Sequence, residues 1–283
     1  MPEPVRAMIE AAIERGDAVL VASIADLARQ TNPDDVAEID AAVAGFEAEQ
    51  TRLASEAKAE EVEAIRSAGL LDNWSGQGQL GALRSTGNSS NTGITAGLSL
   101  ERTGINWHHK LTGLADYQKT NGVTTREQFL AAYEANYDLS DQLFVYGLAQ
   151  YERDVFQGFS SRYSASGGVG YRVIENDSMQ MSLKAGPAYR QTNFVGGLSD
   201  SSIAGLAALD FDWQFAENLK LTEDASAFIQ SGNNTFVSTT GLVAGLGSGL
   251  SASLSYTIEH DTNPPPGAVK TDTLTRATLI YDF

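Results

Sequence analysis

The feature that most constrains this chain is an alternation of period two that starts near Leu80 and recurs to the last residue. It is cleanest in the closing stretch Lys270-Thr-Asp-Thr-Leu-Thr-Arg-Ala-Thr-Leu-Ile-Tyr-Asp-Phe283. Thr273, Thr275, Ala277, Leu279, Tyr281 and Phe283 share one parity, and Asp272, Arg276, Thr278 and Asp282 take the other. Successive side chains of a β-strand point to opposite faces, so this stretch is a strand with one oily and one wet face. The run ends on an aromatic residue where a soluble chain would ordinarily fray.

The same period recurs upstream. A weak first segment carries Leu80 and Ala82, and clear ones follow at residues 94–100, 105–117, 129–137, 143–151, 163–173, 179–189 and 203–215. Three more lie near 219–229, 236–246 and 251–261, which with the closing stretch makes twelve. Many run to about ten residues or more, the length of a tilted membrane strand and longer than the roughly five or six usual in soluble sheets. Aromatic residues gather near strand ends, as in Tyr133/Tyr137, Trp213/Phe215 and Tyr281/Phe283, where interfacial girdles sit. A soluble sandwich also alternates but needs neither feature.

The connections offer an independent test, because bacterial outer-membrane barrels alternate short periplasmic turns with longer external loops. Residues 102–104, 139–141, 175–177, 217–218 and 247–249 read as tight turns of Gly, Asn, Asp and Ser. The other connections read as longer, at 86–92, 119–126, 154–161, 191–202, 231–235 and 262–269. The expected fold is therefore an all-β transmembrane antiparallel barrel of twelve strands, residues 72–283, preceded by an α-helical region, residues 1–71. Both barrel ends fall on the short-turn side, which puts the helices in the periplasm.

Within 1–71 the apolar period is helical. Val5, Met8, Ile9, Ala12 and Ile13 form one stripe, Gly16-Asp17 reads as a stop and a new N-cap, and a second helix carries Val21, Ile24 and Leu27. Asn32-Pro33-Asp34-Asp35 predicts a third start with Asn32 as cap, and the helix runs to about Arg66. Its stripe thins after Phe46, so its second half is either solvated or a seam for self-association. A helical appendage is the plainer reading, with a periplasmic partner or self-association as its use.

Composition narrows the partners. With 36 acidic and 19 basic residues the formal charge is −17, which disfavours nucleic acid as a partner and any dependence on anionic lipid; outer-membrane lipid is the partner the barrel reading expects. There is no cysteine, hence no disulfide or thiolate chemistry. No apolar stretch approaches the roughly 18 residues of a spanning helix. The start, Met1-Pro-Glu-Pro-Val-Arg-Ala-Met8, lacks a basic segment followed by an apolar one, so a secretion signal is expected to have been removed or omitted.

Residues 74–283 resemble the family of salt-induced outer-membrane proteins. The matching features are Trp74-Ser-Gly-Gln-Gly-Gln-Leu-Gly81, Ser85-Thr-Gly-Asn-Ser89, Tyr151-Glu-Arg-Asp-Val-Phe156, Gly167-Gly-Val-Gly-Tyr-Arg172, Asn263-Pro-Pro-Pro-Gly267 and Tyr281-Asp-Phe283. The resemblance implies a barrel of unassigned activity with a role in osmotic or envelope homeostasis. It also implies that Leu279, Tyr281 and Phe283 form the signal read by the barrel assembly machinery. It does not extend to the helical region.

On the inward parity the strands place Glu134, Glu152, Asp154, Arg162, Arg172, Lys184, Arg190, Asp210 and Arg276 as lumen-lining candidates. Burying such charges without water or partners is prohibitive, so the lumen is either wet or cross-paired. Both signs are abundant, which favours a filled or constricted lumen and a structural or narrow passive-channel role. The enzyme alternative is a lipid hydrolase, which needs a nucleophile and a histidine base at the lipid-facing rim. The histidines are His108, His109 and His260, and none has a serine in a nucleophile context beside it. Adjacent histidines in a strand face opposite ways, so His108 and His109 cannot share a metal ion. Asp138/Asp141 and Asp210/Asp212 lack the spacing of a calcium loop. The Gly167–Arg172 run lies inside a strand with no helix after it and reads as close packing or curvature, not a phosphate loop. No cofactor is called for.

Overall fold

The computed structural model describes residues 1–69, 72–85, 91–264 and 268–283. It divides into two compact units, Met1–Ala68 and Gly69–Phe283. Residues 86–89 of the motif Ser85–Ser89, most of the connection read at 86–92 and most of Asn263–Gly267 fall outside the described residues.

The first unit contains α1 (Glu3–Glu14), α2 (Ala18–Thr31), a 3-10 turn (Pro33–Asp35) and α3 (Val36–Ser67). Gly16 takes φ +69°, a conformation open to glycine, and ends α1. Asp17 then caps α2, its carboxylate accepting from the N–H groups of Val19 and Leu20 at 3.0 Å. Ile9, Ala25, Ala28 and Ile39 form one buried cluster, and Ala12, Val21 and Phe46 a second. Met8 and Leu27, placed on the buried stripes by spacing, are exposed instead, and the small Ala25 and Ala28 take the inner positions of α2.

The cap expected from Asn32 is not formed. Its side-chain amide donates back to the carbonyl of Ala28 at 3.2 Å and to Thr31 Oγ1 at 2.9 Å, which closes α2 and leaves α3 without a side-chain cap. Past Phe46 no described residue of α3 is buried. That half is held by its own ion pairs, Arg52 to Glu49 and Glu56, each at 2.6 Å, and Arg66 to Glu63 at 3.0 Å. Such pairs at i,i+3 and i,i+4 support an isolated helix weakly, and the hydrogen bond from Arg52 holds the pKa of the Glu49 carboxyl below its ordinary value.

The second unit is a closed antiparallel barrel of twelve strands in sequential order. They are β1 (Trp74–Ser85), β2 (Asn91–Thr103), β3 (Trp107–Thr120), β4 (Val123–Asp138), β5 (Leu143–Asp154), β6 (Phe159–Glu175), β7 (Met179–Phe194), β8 (Ser199–Ala216), β9 (Leu219–Gln230), β10 (Thr235–Gly247), β11 (Leu250–Asp261) and β12 (Thr271–Asp282). β1 and β12 close the ring from Gln77↔Asp282 to Leu80↔Leu279. Beyond that register Gly76 and Phe283 exchange backbone hydrogen bonds of 2.8 and 2.9 Å. Phe283 thus lies opposite Gly76, and it is Leu279 that meets Leu80. A Cβ on Gly76 would come within 2.5 Å of the Phe283 ring, so glycine there leaves room for the terminal aromatic.

The outward parity is the apolar one. Leu80, Ile94, Leu98, Leu111, Val169, Leu183, Leu242, Leu254 and Leu279 are all exposed on the wall, the inverse of a soluble core and the arrangement lipid demands. No helix of the described residues is long and apolar enough to cross a membrane, and the chain crosses with strands.

The rim carrying Trp74 and Phe283, called the terminal rim below, has connections at residues 104–106, 139–142, 176–178, 217–218 and 248–249. The opposite rim keeps the expected long connection between β11 and β12, from 262 to 270, but three other connections that read as long are shorter than expected and a fourth is a two-residue turn. β3 and β4 are joined by Asn121-Gly122 alone, both at positive φ, the two-residue turn that matches strand twist. The connections at 155–158, 195–198 and 231–234 have four residues each. Part of what reads as loop at 154–161 and 191–202 is strand, because β6, β7 and β8 extend to 17, 16 and 18 residues, with bulges between Phe159 and Ser161 and between Arg172 and Ile174 in the β6–β7 pairing.

Asp17→Ala removes the only side-chain cap of α2 and is expected to lower the stability of the helical unit by about 1 kcal/mol. The helical part of a far-ultraviolet circular dichroism melt would register it, with the strand signal unmoved.

Candidate functional site: the lumen

Alternation places the inward side chains without further help, and cross-strand register decides which of them meet. Lys184 on β7 reaches Glu134 on β4, its Nζ 2.8 and 3.0 Å from the two carboxylate oxygens, and lies 3.3 Å from Asp210 on β8. Towards the terminal rim, Arg172 on β6 pairs with Asp138 on β4 at 2.7 Å and donates to the carbonyl of Asp141 at 3.0 Å. His108 Nε2 is 2.7 Å from the same Asp138.

Near the opposite rim the charges are buried. Arg162 and Arg190 are 4% and 3% exposed, and each guanidinium lies on an aromatic face, 3.9 Å from Phe159 and 3.8 Å from Phe228 respectively. Arg190 donates to Thr235 Oγ1 at 2.9 Å, and Thr235 donates to Asp261 at 2.6 Å. Arg162 approaches Glu152 at 3.8 Å. Gln157, on the turn between β5 and β6, donates across the lumen to Glu259 on β11 at 2.8 Å. On the other side Arg276 on β12 bonds Asp116 on β3, and Arg126 lies 3.6 Å from Asp272.

Asp154, on the inward parity of β5, also holds the adjoining turn. It is buried, and its carboxylate accepts from the N–H groups of Phe156 and Gln157 at 3.0 Å, which holds the turn that presents Gln157.

Not every inward residue is polar. Phe144, Tyr146, Ala188, Ala204, Leu206 and Phe228 form a buried cluster against the inner wall, with Leu148 packed on it. The alternation missed this cluster. The signal was present in β5, whose Leu143-Phe-Val-Tyr-Gly-Leu-Ala149 is apolar on both parities, as strands buried on both faces are. Its counterpart is the glycine run of β6: a Cβ on Gly170 would come within 2.1 Å of the Phe144 ring, and one on Gly168 within 2.2 Å of the Ala185 carbonyl. The run therefore admits an aromatic ring and a close strand.

The open space is asymmetric. A cavity of about 870 Å³ opens at the terminal rim, lined by Glu101, Lys110, Asp212, Lys220 and Asp224 among others. A second of about 650 Å³, also lined by Glu101, Lys110, Asp212 and Asp224, reaches Glu152, Arg162, Arg190 and Glu259. Asp154, Phe159, Thr192 and Asp261 are buried at the opposite end.

His109 and His260 face outward. His109 stacks 5.9 Å from Trp107 and bonds Tyr133 at 2.8 Å, as an interfacial anchor does. His260 Nδ1 is 2.8 Å from Thr271 Oγ1, and its ring lies beside Phe236. Glu259 and Asp261 point to the other face, and among the described residues no group of three or more His, Cys, Asp or Glu could hold a metal ion.

The family described as "Protein of unknown function, DUF481" matches residues 78–283. The chain belongs to this family. It is 23% identical over 204 residues to the uncharacterized protein YdiY of Escherichia coli K12, covering 72% of this chain and 81% of that protein. Among solved structures it is similar to the translocator domain of the autotransporter NalP from Neisseria meningitidis, with a TM-score of 0.44 at 14% identity over 83% of this chain and 98% of that one. It is also similar to the COG4313 outer membrane channel from Pseudomonas putida F1, with a TM-score of 0.45 at 8% identity over 77% of this chain and all of that one (100%). The family match stops at the barrel and leaves the helical unit outside.

Lys184→Ala strands Glu134 and Asp210 without a cation in a partly dehydrated lumen. The expected loss is roughly 1–3 kcal/mol of barrel stability, the cost of an unsatisfied buried polar group. Urea titration of heat-resistant electrophoretic migration would measure it, and Lys184→Met should lose as much because packing alone does not replace the charge.

Proposed function

We propose that this protein is an outer-membrane barrel whose lumen is shut near the opposite rim, so that its resting role is structural, with the helical region in the periplasm. The observation that carries this reading is the layer of buried Arg162 and Arg190 together with the Gln157–Glu259 bond, which crosses from β5–β6 to β11. Strands six places apart in a ring of twelve face each other across it, so this one contact spans the lumen.

A second reading, a narrow passive channel, is favoured by the cavities on the terminal side. It requires the charged layer to separate. The lipid-hydrolase alternative is not favoured, because His260 meets a threonine and an aromatic ring rather than an orienting carboxylate. The exposed half of α3 suits a periplasmic partner or self-association. A role in osmotic homeostasis rests on the family resemblance alone.

Leu279, Tyr281 and Phe283 suit an assembly signal. All three face outward and are 53%, 54% and 63% exposed, so a machine working on the open edge of the sheet could reach them. Phe283 would then serve twice, by recognition and through its backbone pairing with Gly76.

In planar bilayers the native barrel should give no stable single-channel steps, and Gln157→Ala combined with Glu259→Ala should produce them. Stable steps from the native protein would sink the closed reading. Deleting Phe283 should sharply reduce the heat-resistant barrel recovered from cell envelopes, and unchanged recovery would remove the assembly role.

A further inference from the structure

The outward face of β9 carries an acid that the apolar belt does not explain. Glu223 shares its parity with Leu221, Ala225, Ala227 and Ile229, and its cross-strand neighbours are Phe211 on β8 and Thr240 on β10. Trp213, opposite Leu221, lies one outward position nearer the terminal rim. A carboxylate facing lipid is costly, less so close to an interface, and an ionisable group at such a place marks a function by default.

The carboxylate is held in place. Ser238 Oγ donates to one oxygen at 2.6 Å and Thr240 Oγ1 donates to the other. Among the described residues no basic side chain forms an ion pair with it. A carboxylate offers about four acceptor sites, and two hydroxyls leave roughly half of them unfilled.

Immediately beyond Glu223, on the side away from the terminal rim, lies a groove of about 460 Å³ in the outer wall. Ala207, Ala225 and Ala227 form its floor, with Leu183 and Leu209 along one side and Phe236 and Ile258 along the other. The registers Ala225↔Ser238 and Glu223↔Thr240 put the carboxylate and its hydroxyls at one end of this apolar trough, the end nearer the Trp213 girdle.

We infer that this is a binding site for one phospholipid bearing a primary ammonium headgroup. The ammonium sits on Glu223, where it completes the acceptor sites, and an acyl chain lies along Ala225 and Ala227. Charge and polarity both match: an anionic end at interfacial depth and a hydrocarbon trough behind it. A second copy docked through the same face about a two-fold axis would set Glu223 near its own counterpart, like charge against like charge.

The test uses the full chain reconstituted in equimolar phosphatidylethanolamine and phosphatidylglycerol, released into mild detergent and weighed by native mass spectrometry. The native barrel should retain one phosphatidylethanolamine in preference to phosphatidylglycerol. Glu223→Gln should weaken that retention about tenfold, the scale of one charge-assisted bond. Ala225→Trp, which fills the trough, should abolish retention of either lipid. Heat-resistant migration reports whether each variant has folded, and Ser238→Ala with Thr240→Ala, which frees the carboxylate, provides a milder variant expected to weaken retention too. Equal retention of the two lipids, retention unchanged in folded Glu223→Gln, or a protein dimer in place of bound lipid would each overturn the proposal.

Discussion

The constraint on which this structure depends is that a backbone surrounded by hydrocarbon must satisfy every N–H and C=O within the protein. Strands achieve this only if the sheet has no edge, so the pairing of β1 with β12 is the condition for all the others. It is also the shortest interface in the ring, four paired positions from Gln77 to Leu80 with the Gly76–Phe283 exchange beyond them. Small residues concentrate the cost of error there, since a side chain on Gly76 would collide with the terminal aromatic ring.

Closure creates a second problem inside. Inward positions of a twelve-strand ring are too many to leave empty and too polar to leave dry, and the chain answers differently at its two ends. Near the terminal rim, Lys110, Lys220 and their acids line open space, where water screens them. Near the opposite rim, Arg162 and Arg190 are removed from water and rest on Phe159 and Phe228, with Thr235, Ser164 and Glu152 supplying polar contacts. The apolar cluster around Phe144 and Leu206 lies on the inner wall, beside the second cavity that reaches this layer. The outer wall is less uniform than its composition suggests, because Glu223 and its two hydroxyls interrupt the belt on one strand pair.

Strand count, order and the facing of most side chains were legible because a period of two needs no tertiary information. The helix boundary at Gly16-Asp17 was legible for a similar reason, since positive φ and capping are local. What misled were positions where local chemistry had more than one outlet. Asn32 can cap the next helix or close the previous one, and packing of α2 on α3 left it doing the latter. Polar residues at 191–202 resemble a loop, yet β7 and β8 pair through 191–193 and 199–201 and leave only 195–198 as a turn.

The sequence alone pointed to a transmembrane barrel with a helical preface, since strand length, aromatic residues at strand ends and a run of twelve alternating segments favour a barrel over a soluble sandwich, which also alternates. Only the tertiary structure decided which inward charges neutralise which, because Lys184 with Glu134, or Gln157 with Glu259, are residues 50 and 102 apart in the chain. Such pairs follow from the register and curvature of the closed ring, which fix distances across the lumen that no local pattern encodes. Parity alone does not contain those distances.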